Sequence, residues 1–161
     1  MNFFNRHQVA VSIPAVIKSG IGGMVAIAIV AGLTQFSGTP WLMAPFGASC
    51  VLLFSVPSSP LSQPINVVGG HLLSTLVGFA VLALLPVSWL SMALAVGLAI
   101  SAMAALRITH PPAGADPLVV LAMTPGIDFI MFPTLSGSLA LVLVATLFHR
   151  LPPKTVFPAP K

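Results

Sequence analysis

The sequence predicts an all-α integral membrane protein with six helical segments, two of them short and broken by proline and glycine, in two inverted three-helix repeats. The composition is the first reason, since 57% of the residues are hydrophobic and 5% are charged, against roughly a quarter charged in soluble domains. The second reason is that about six apolar stretches follow one another with short connections. The third is a proline-glycine motif that occurs in both halves. We therefore expect one transmembrane domain over residues 1–161, surrounded by a lipid bilayer.

Prolines mark the starts of most predicted segments. A proline suits the first turn of a helix, where its missing N–H costs little and its fixed φ is already helical. Helices are therefore expected to begin near Pro14, Pro45, Pro64 and Pro111. A basic, proline-rich tail follows at residues 151–161. The predicted segments cover residues 14–36, 45–56, 64–85, 88–108, 111–124 and 133–149.

Two of the segments are too short to cross a bilayer. The segment 45–56 has twelve residues, which measure about 18 Å as a helix against a hydrocarbon core of about 30 Å. The segment 111–124 is also short and begins with two consecutive prolines. The segments 64–85 and 88–108 are long enough to span, and the first segment is expected to be a retained span rather than a cleaved signal peptide.

Small residues recur at four-residue spacing along two of the long segments. Such stripes allow helix backbones to approach closely in lipid, where packing drives association. We therefore interpret them as packing positions rather than ligand contacts. The stripes are Gly70, Ser74 and Gly78 in one segment, and Ala93, Gly97, Ser101 and Ala105 in the next.

The two halves of the chain match at an offset of 67 residues. This offset predicts one repeat over about 14–85 and a second over about 88–150. Because each repeat holds three segments, the second would be inverted relative to the first. Short, interrupted segments at corresponding positions of inverted halves indicate the substrate site of a transporter. The matching pairs are Pro45 and Pro112, Gly47 and Gly114, and Ala48 and Ala115.

The starts of the two short segments are predicted to converge and to form a site for a small anion. Each helix start has unpaired N–H groups and a partial positive charge, and a glycine lets backbone come close to an ion. An ionised Asp116 would repel an anion, so a functional Asp116 would imply a coupled proton. The candidate substrate-binding residues are Pro45, Gly47, Ala48, Ser49, His71, Arg107, Thr109, His110, Gly114, Ala115 and Asp116.

Three of these candidates have alternative interpretations. His110 would either relay protons or bond a free carbonyl at the helix break. His71, within a span, would bind a ligand or bond another helix. Arg107 would clamp the substrate or anchor the chain at the lipid headgroups.

Charge predicts orientation rather than nucleic-acid binding. The formal net charge is +4, and with the N-terminus inside and six crossings every Lys and Arg falls on the cytoplasmic side. We expect a bacterial inner membrane protein with both termini in the cytoplasm. The single cysteine excludes a disulfide framework and a cysteine zinc site, and no metal or cofactor is expected. The cations are Arg6, Lys18, Arg107, Arg150, Lys154 and Lys161.

Four blocks of the sequence resemble the HPP family of integral membrane proteins. They are APFGAS at 44–49, PSSPLSQP at 57–64, GGH at 69–71 and HPPAGA at 110–115. The resemblance covers about residues 14–150. It implies a membrane protein, usually described with four spans, that has transport activity. Members from plastids and cyanobacteria are linked to nitrite transport, so the resemblance implies a transporter of nitrite or a similar small anion.

Other functions remain open at this stage. The same halves would also line a passive anion channel, or serve as a small accessory membrane subunit without transport of its own. Ser49 with His71 or His110 would form a Ser–His dyad, but the nearby Pro45 is a poor fit to an exposed nucleophile, so we do not expect an enzyme. We expect a homo-oligomer, because thin helices rich in Gly and Ala leave little protein to enclose a cavity in one subunit.

Overall fold

The computed structural model describes residues 4–160, and the regular structure in that range is entirely helical. This confirms the predicted all-α fold with six helices. Lys161, which the charge argument places in the cytoplasm, lies outside the described residues. The helices are α1 (Ile13–Ser37), α2 (Pro45–Ser55), α3 (Pro64–Leu84), α4 (Trp89–Ala105), α5 (Asp116–Met123) and α6 (Ser136–Phe148).

Three stretches are long and apolar enough to cross a membrane. They are Ile13–Ser37, Pro64–Leu84 and Ile127–Phe148, each with a mean hydropathy of 2.0. The prediction that 88–108 is also a full-length span is wrong. α4 has 17 residues, about 26 Å of helix, and it ends early because Arg107 adopts a left-handed backbone with φ 57°.

The short segments are built as their prolines predict. α2 begins at Pro45 and has 11 residues. The fifth segment is a 3-10 turn (Pro111–Ala115) that leads directly into the eight residues of α5. Consecutive prolines are compatible with this start, because the N–H groups of a first turn have no intrahelical partner. α5 ends where Thr124 adopts φ 43°.

Helix contacts follow the pattern that a twofold relation between the halves would produce. α1 packs on α2 and α6, and correspondingly α4 packs on α5 and α3. α3 packs on α5, and correspondingly α6 packs on α2, while α3 and α6 contact each other. Exchanging the first three helices for the last three therefore reproduces the set of contacts. The inversion of the repeats across the membrane stays a prediction.

Two equivalent glycines show the same relation at atomic detail. A Cβ at Gly70 would lie 3.2 Å from the carbonyl oxygen of Ile108, and a Cβ at Gly137 would collide with the carbonyl oxygen of Trp41. Gly137 follows Gly70 by 67 residues, and Ile108 follows Trp41 by the same 67. Each half therefore places a glycine against the same backbone position of the other half.

The small-residue stripe on α3 packs as predicted, whereas the stripe on α4 does not. Gly70, Ser74 and Gly78 are buried, and a Cβ at Gly78 would lie 3.0 Å from Pro117. The α4 stripe is exposed, and a Cβ at Gly97 would meet nothing within 4 Å. α4 instead buries the face that contains Ser91, Ala95, Ala99 and Met103. Spacing alone does not distinguish the two faces, since both carry small residues.

Substitution of Gly70 is expected to destabilise the protein. The new Cβ of Gly70→Ala would lie 2.7 Å from the Cβ of His110, and overpacking of this kind typically costs about 1–3 kcal/mol. Gly20→Ala, at an exposed position of α1, adds the same methyl group in open space and is the matched control. Thermal unfolding in detergent should give a lower midpoint for Gly70→Ala and no decrease for Gly20→Ala. Equal midpoints for Gly70→Ala and Gly20→Ala would contradict the close packing at Gly70.

Candidate functional site

A buried chain of polar side chains lies between α2, α3 and the start of α5. Its members are Ser49 on α2, His71 on α3, His110 before the 3-10 turn and Asp116 at the first position of α5. All four are 0% exposed. His71 is seven residues past Pro64, so it lies about 11 Å into α3. This series of polar side chains therefore lies inside the membrane-spanning part of the protein.

Successive members of this chain lie within hydrogen-bond distance of each other. Asp116 Oδ2 is 2.7 Å from His71 Nδ1, and His71 Nε2 is 2.8 Å from Ser49 Oγ. Ser49 Oγ is also 2.9 Å from His110 Nε2. His110 Nδ1 is 2.8 Å from the carbonyl oxygen of Leu61. We call this series, from Asp116 to the Leu61 carbonyl, the relay chain.

Backbone contacts hold the relay chain in place from both sides. Asn66 Nδ2 donates to the carbonyl oxygen of Thr109 at 3.0 Å, and Ser74 Oγ donates to that of Ala113 at 2.6 Å. Both donors are on α3, so the connection that carries His110 is fastened to this helix. His110 is extended, with φ −131° and ψ 102°, as expected for a residue before proline.

His71 links residues at equivalent positions of the two halves. Ser49 on α2 and Asp116 on α5 are 67 residues apart, the offset that relates the halves. One ring nitrogen of His71 faces Ser49 and the other faces Asp116. The imidazole therefore lies between the equivalent helices α2 and α5. In transporters with internal repeats, the substrate and coupling-ion sites lie at the interface of the repeats.

All four hydrogen bonds of the relay chain can form only when the chain holds one proton more than it does with an ionised Asp116 and two neutral histidines. Its four hydrogen bonds need four protons, and the carbonyl oxygen of Leu61 can only accept. A protonated Asp116 with neutral histidines supplies four and has no net charge. So does an Asp116 carboxylate beside a His71 imidazolium. An ionised Asp116 with neutral histidines supplies only three, so one bond is lost and the net charge is −1.

Every bond of the complete chain points in the same direction. In its neutral form Asp116 donates to His71, His71 to Ser49, Ser49 to His110, and His110 to Leu61. Such a series can pass a proton from group to group without moving heavy atoms. The second oxygen of Asp116, Oδ1, is buried, and the Thr75 hydroxyl also interacts with this carboxyl group.

The starts of the two short helices approach each other, but the space between them is apolar. A groove of about 690 Å³ there is lined by Pro45, Ala48, Pro112 and Ala115, among others. The first N–H groups of α2 are already occupied, since Phe46 N–H donates to the carbonyl of Met43 and Gly47 N–H to that of Ala44. The polar chemistry lies behind the helix starts, on the side that faces α3.

The other candidate residues lie outside the relay chain. Gly47 is exposed on the side of α2 that faces α1, where it borders a second groove. Gly114 is partly buried, and a Cβ added there would meet nothing within 4 Å. Arg107 is exposed, and Thr109 contributes its carbonyl to the bond with Asn66. Their part in substrate binding stays a prediction.

The order Asp116–His71–Ser49 is also that of a serine-hydrolase triad. Two features of this structure differ from a triad whose serine is positioned to attack a substrate. Ser49 is fully buried, and its hydroxyl lies between two imidazoles rather than facing a substrate cleft. Among residues 4–160, no group of three His, Cys, Asp or Glu side chains is arranged to hold a metal ion.

One member of the relay chain is not evident from residue types in the sequence. The carbonyl of Leu61 belongs to the PSSPLSQP block, where Ser62 Oγ lies within hydrogen-bond distance of the carbonyls of Leu52 and Val56. Gln63 Nε2 donates to the carbonyls of Pro57 and Ser59. These bonds fix the connection and hence the Leu61 carbonyl. The density of prolines and polar residues there was the available signal.

Comparison with known families explains the resemblance that the four sequence blocks indicated. The family described as HPP, transmembrane region, matches residues 8–158. The chain belongs to the HPP family. The relay chain and both short helices lie within the matched region, so the site described above is part of the HPP transmembrane region.

Two relatives of this HPP protein come from Dictyostelium discoideum, and both are described as transmembrane proteins. The first is 35% identical over 150 residues, which cover 88% of this chain and 48% of the relative. The second is 37% identical over 125 residues, which cover 73% of this chain and 44% of the relative. The HPP chain thus spans just under half the length of these relatives. No solved structure matches it.

Proposed function

We propose that this HPP protein carries a small inorganic anion across the membrane together with one proton, and that nitrite is the leading candidate. The observation that carries the proposal is that His71 joins Ser49 and Asp116, the equivalent residues of the two halves, in a fully buried relay chain. Ionisable groups inside a membrane are costly and mark proton relays and ion pathways. The choice of nitrite rests on the family resemblance.

The proposed coupling between the anion and the proton follows from the net charge of the relay chain. With its extra proton the chain is neutral, and without it the chain has a net charge of −1. Two negative charges in a medium of low dielectric constant repel each other strongly, so an anion close to Asp116 is favoured only when the proton is bound. By linkage, the bound anion favours retention of the proton to the same extent. The anion and the proton therefore cross together.

The short helices α2 and α5 are the parts expected to move. Neither helix is long enough to span a bilayer. Each carries one of the two residues that contact His71, Ser49 on α2 and Asp116 on α5. A rearrangement of either helix relative to α3 would break a bond of the relay chain and open the region behind the helix starts. Alternating movement of the two equivalent helices would expose the site to each side in turn.

The proposal predicts accumulation driven by a proton gradient. In proteoliposomes, transport of one proton with one nitrite moves no net charge, so a tenfold inward proton gradient should concentrate nitrite up to about tenfold inside. Uptake at a fixed nitrite concentration should rise as the external pH falls. Protein-free liposomes measure the leak of nitrous acid. Nitrite that equilibrates without accumulating would indicate a passive channel instead, and an absence of flux would indicate an accessory subunit.

We further propose that the protein has no hydrolytic activity, although Ser49, His71 and Asp116 have triad order. The support is that the Ser49 hydroxyl is buried between two imidazoles. A serine-directed fluorophosphonate probe tests this. No labelling of Ser49 is expected, and stoichiometric labelling would contradict the proposal.

We propose that the protein functions as a homo-oligomer. The support is the exposed stripe of Ala93, Gly97 and Ser101 on α4, which contacts no other part of the described chain closely, and such stripes associate in lipid. In a Cys50→Ala background, Gly97→Cys should form an intermolecular disulfide in membranes, whereas Ile29→Cys on the exposed face of α1 should not. Equal cross-linking at both positions would contradict an interface on α4.

We also propose a bacterial inner membrane location with both termini in the cytoplasm. Lys18 Nζ near the start of α1 donates to the carbonyl of Leu151 at 2.7 Å, so the two ends of the chain lie on one side of the protein. Arg150 and Lys154 are at the same end, and basic residues favour the cytoplasmic side.

A further inference from the structure

A partly polar cavity lies beside the ends of the chain and contains none of the relay residues. It has a volume of about 500 Å³ and is enclosed by the start of α1, the end of α2 and the end of α6. Lys18, Ser19, Ser58, His149 and Thr155 contribute to its polar lining, and the remaining walls are mostly apolar. Neither the proposed transport function nor the relay chain uses any of these residues.

His149 presents an unpaired acceptor in this region. Its side chain is 3% exposed, and Nε2 donates to the carbonyl oxygen of Leu53 at 2.8 Å. Nδ1 is buried and has no hydrogen-bond partner among the described residues. Burial lowers the pKa of His149, the bond to Leu53 raises it, and the Lys18 ammonium lowers it, with a net decrease. In the neutral ring Nδ1 is an acceptor, and it therefore requires a donor such as a hydroxyl group.

Lys18 presents an ammonium group without a carboxylate partner. Its Nζ donates to the carbonyls of Leu151 and Pro153, which leaves one of the three N–H donors. The chain has two acidic residues in all. Asp116 belongs to the relay chain, and Asp128 lies at the opposite end of the Ile127–Phe148 span from His149. No carboxylate among the described residues therefore pairs with Lys18, and its ammonium can bind an anionic group at this cavity.

An apolar groove adjoins this cavity on the outer surface of α1. The groove has a volume of about 500 Å³ and shares Lys18, Phe148 and Pro153 with the polar cavity. Its floor includes Ile13 and Ile17, which are 75% and 56% exposed. A ligand that filled both spaces would have an anionic head with a hydroxyl group and an apolar tail.

We propose that the cavity and groove bind an anionic phospholipid with a hydroxylated headgroup, of the phosphatidylglycerol type. The phosphate contacts the Lys18 ammonium, a headgroup hydroxyl donates to His149 Nδ1, and an acyl chain lies along Ile13 and Ile17. Charge complementarity, the unpaired acceptor and the adjoining apolar groove each match one part of this lipid. The lipid would fasten the start of α1 to the end of α6.

Native mass spectrometry of the intact protein, titrated with single lipids, tests the assignment. The wild type should bind phosphatidylglycerol at least about tenfold more tightly than phosphatidylcholine. Lys18→Gln should remove this preference, and Lys18→Arg should keep most of it. Arg6→Gln, which removes an exposed cation that borders neither cavity, is the control and should behave as the wild type.

A second comparison tests the hydroxyl contact. The wild type and His149→Gln, whose amide can donate to the Leu53 carbonyl and accept a hydroxyl at Oε1, should prefer phosphatidylglycerol over phosphatidic acid. His149→Leu removes the acceptor and should lose this preference. It should retain the preference of both over phosphatidylcholine. Competition with inorganic phosphate separates the two sources of a phosphate group. Equal wild-type binding of all lipids, an unchanged preference in Lys18→Gln, or full displacement by millimolar phosphate would overturn the lipid site.

Discussion

Asp116→Asn is expected to reduce proton-driven nitrite uptake by about 100-fold, near the upper end of typical coupling energies. The asparagine amide can donate to His71 Nδ1 as a protonated Asp116 would, so all four bonds of the relay chain stay formed. It cannot release a proton. The variant is therefore held in the proton-bound state, and it should fold normally because no bond is lost.

Exchange of nitrite across the membrane separates this loss from misfolding. With nitrite on both sides and no pH gradient, the proton-bound carrier can still turn over, so Asp116→Asn should exchange labelled nitrite at a rate close to that of the wild type. Asp128→Asn alters an exposed carboxylate far from the relay chain and should change neither rate. Undiminished proton-driven uptake by Asp116→Asn would remove Asp116 from the coupling mechanism.

His110→Gln is expected to reduce proton-driven uptake by about 30-fold. Glutamine can bond to Ser49 and to the Leu61 carbonyl, as His110 does, but an amide cannot accept a proton at one atom and release it from another. The relay chain then loses its connection to the Leu61 side. A purely structural role for His110 predicts that glutamine preserves uptake.

The pH profile distinguishes slow proton delivery from lost binding. If His110 only conducts the proton, His110→Gln should keep the wild-type pH dependence of nitrite exchange while its proton-driven uptake falls. A shift of the exchange profile with no loss of driven uptake would show that His110 tunes the binding site and does not relay protons. Because Gly70 packs against the Cβ of His110, thermal unfolding of the variant should be recorded in parallel.

Much of the fold follows from local features that a sequence displays. Prolines at Pro45, Pro64 and Pro111 start helices at the predicted positions, because each lacks an N–H that only the first turn can spare. The short length of α2 follows from the close spacing of the helix-breaking residues on either side of it in the sequence. The length of α4 does not, because the left-handed backbone of Arg107 just after the helix is uncommon for a residue with a side chain and has no signal in the sequence.

The sequence indicated which residues were candidates for the site better than it indicated how they are arranged. Ser49, His71, His110 and Asp116 are polar residues in apolar surroundings, and the high cost of burying them identifies them as candidates. Their connection depends on helix packing, since His71 lies 22 residues from Ser49 and 45 from Asp116. The anion site expected at the helix starts stays a prediction. The groove there is lined by apolar residues, and the N–H groups of Phe46 and Gly47 are bonded to carbonyls of the preceding residues.

The equivalence of Ser49 and Asp116 gives the halves different chemistry at matching positions. One half supplies a hydroxyl, which can only pass a proton on, and the other supplies a carboxyl group, which can store one. His71 lies between them. Asp116 can therefore hold a proton at one end of the relay chain, whereas the Leu61 carbonyl at the other end only accepts a hydrogen bond from His110.

The most direct test of the central claim is the ratio of protons to nitrite ions in single-substrate uptake. Proteoliposomes with a luminal pH dye, assayed for nitrite and clamped with potassium and valinomycin, report both fluxes at a set membrane potential. The account predicts one proton per nitrite after subtraction of the protein-free leak, and an initial rate that does not change with potential. Nitrite entry driven by the potential without luminal acidification would contradict it.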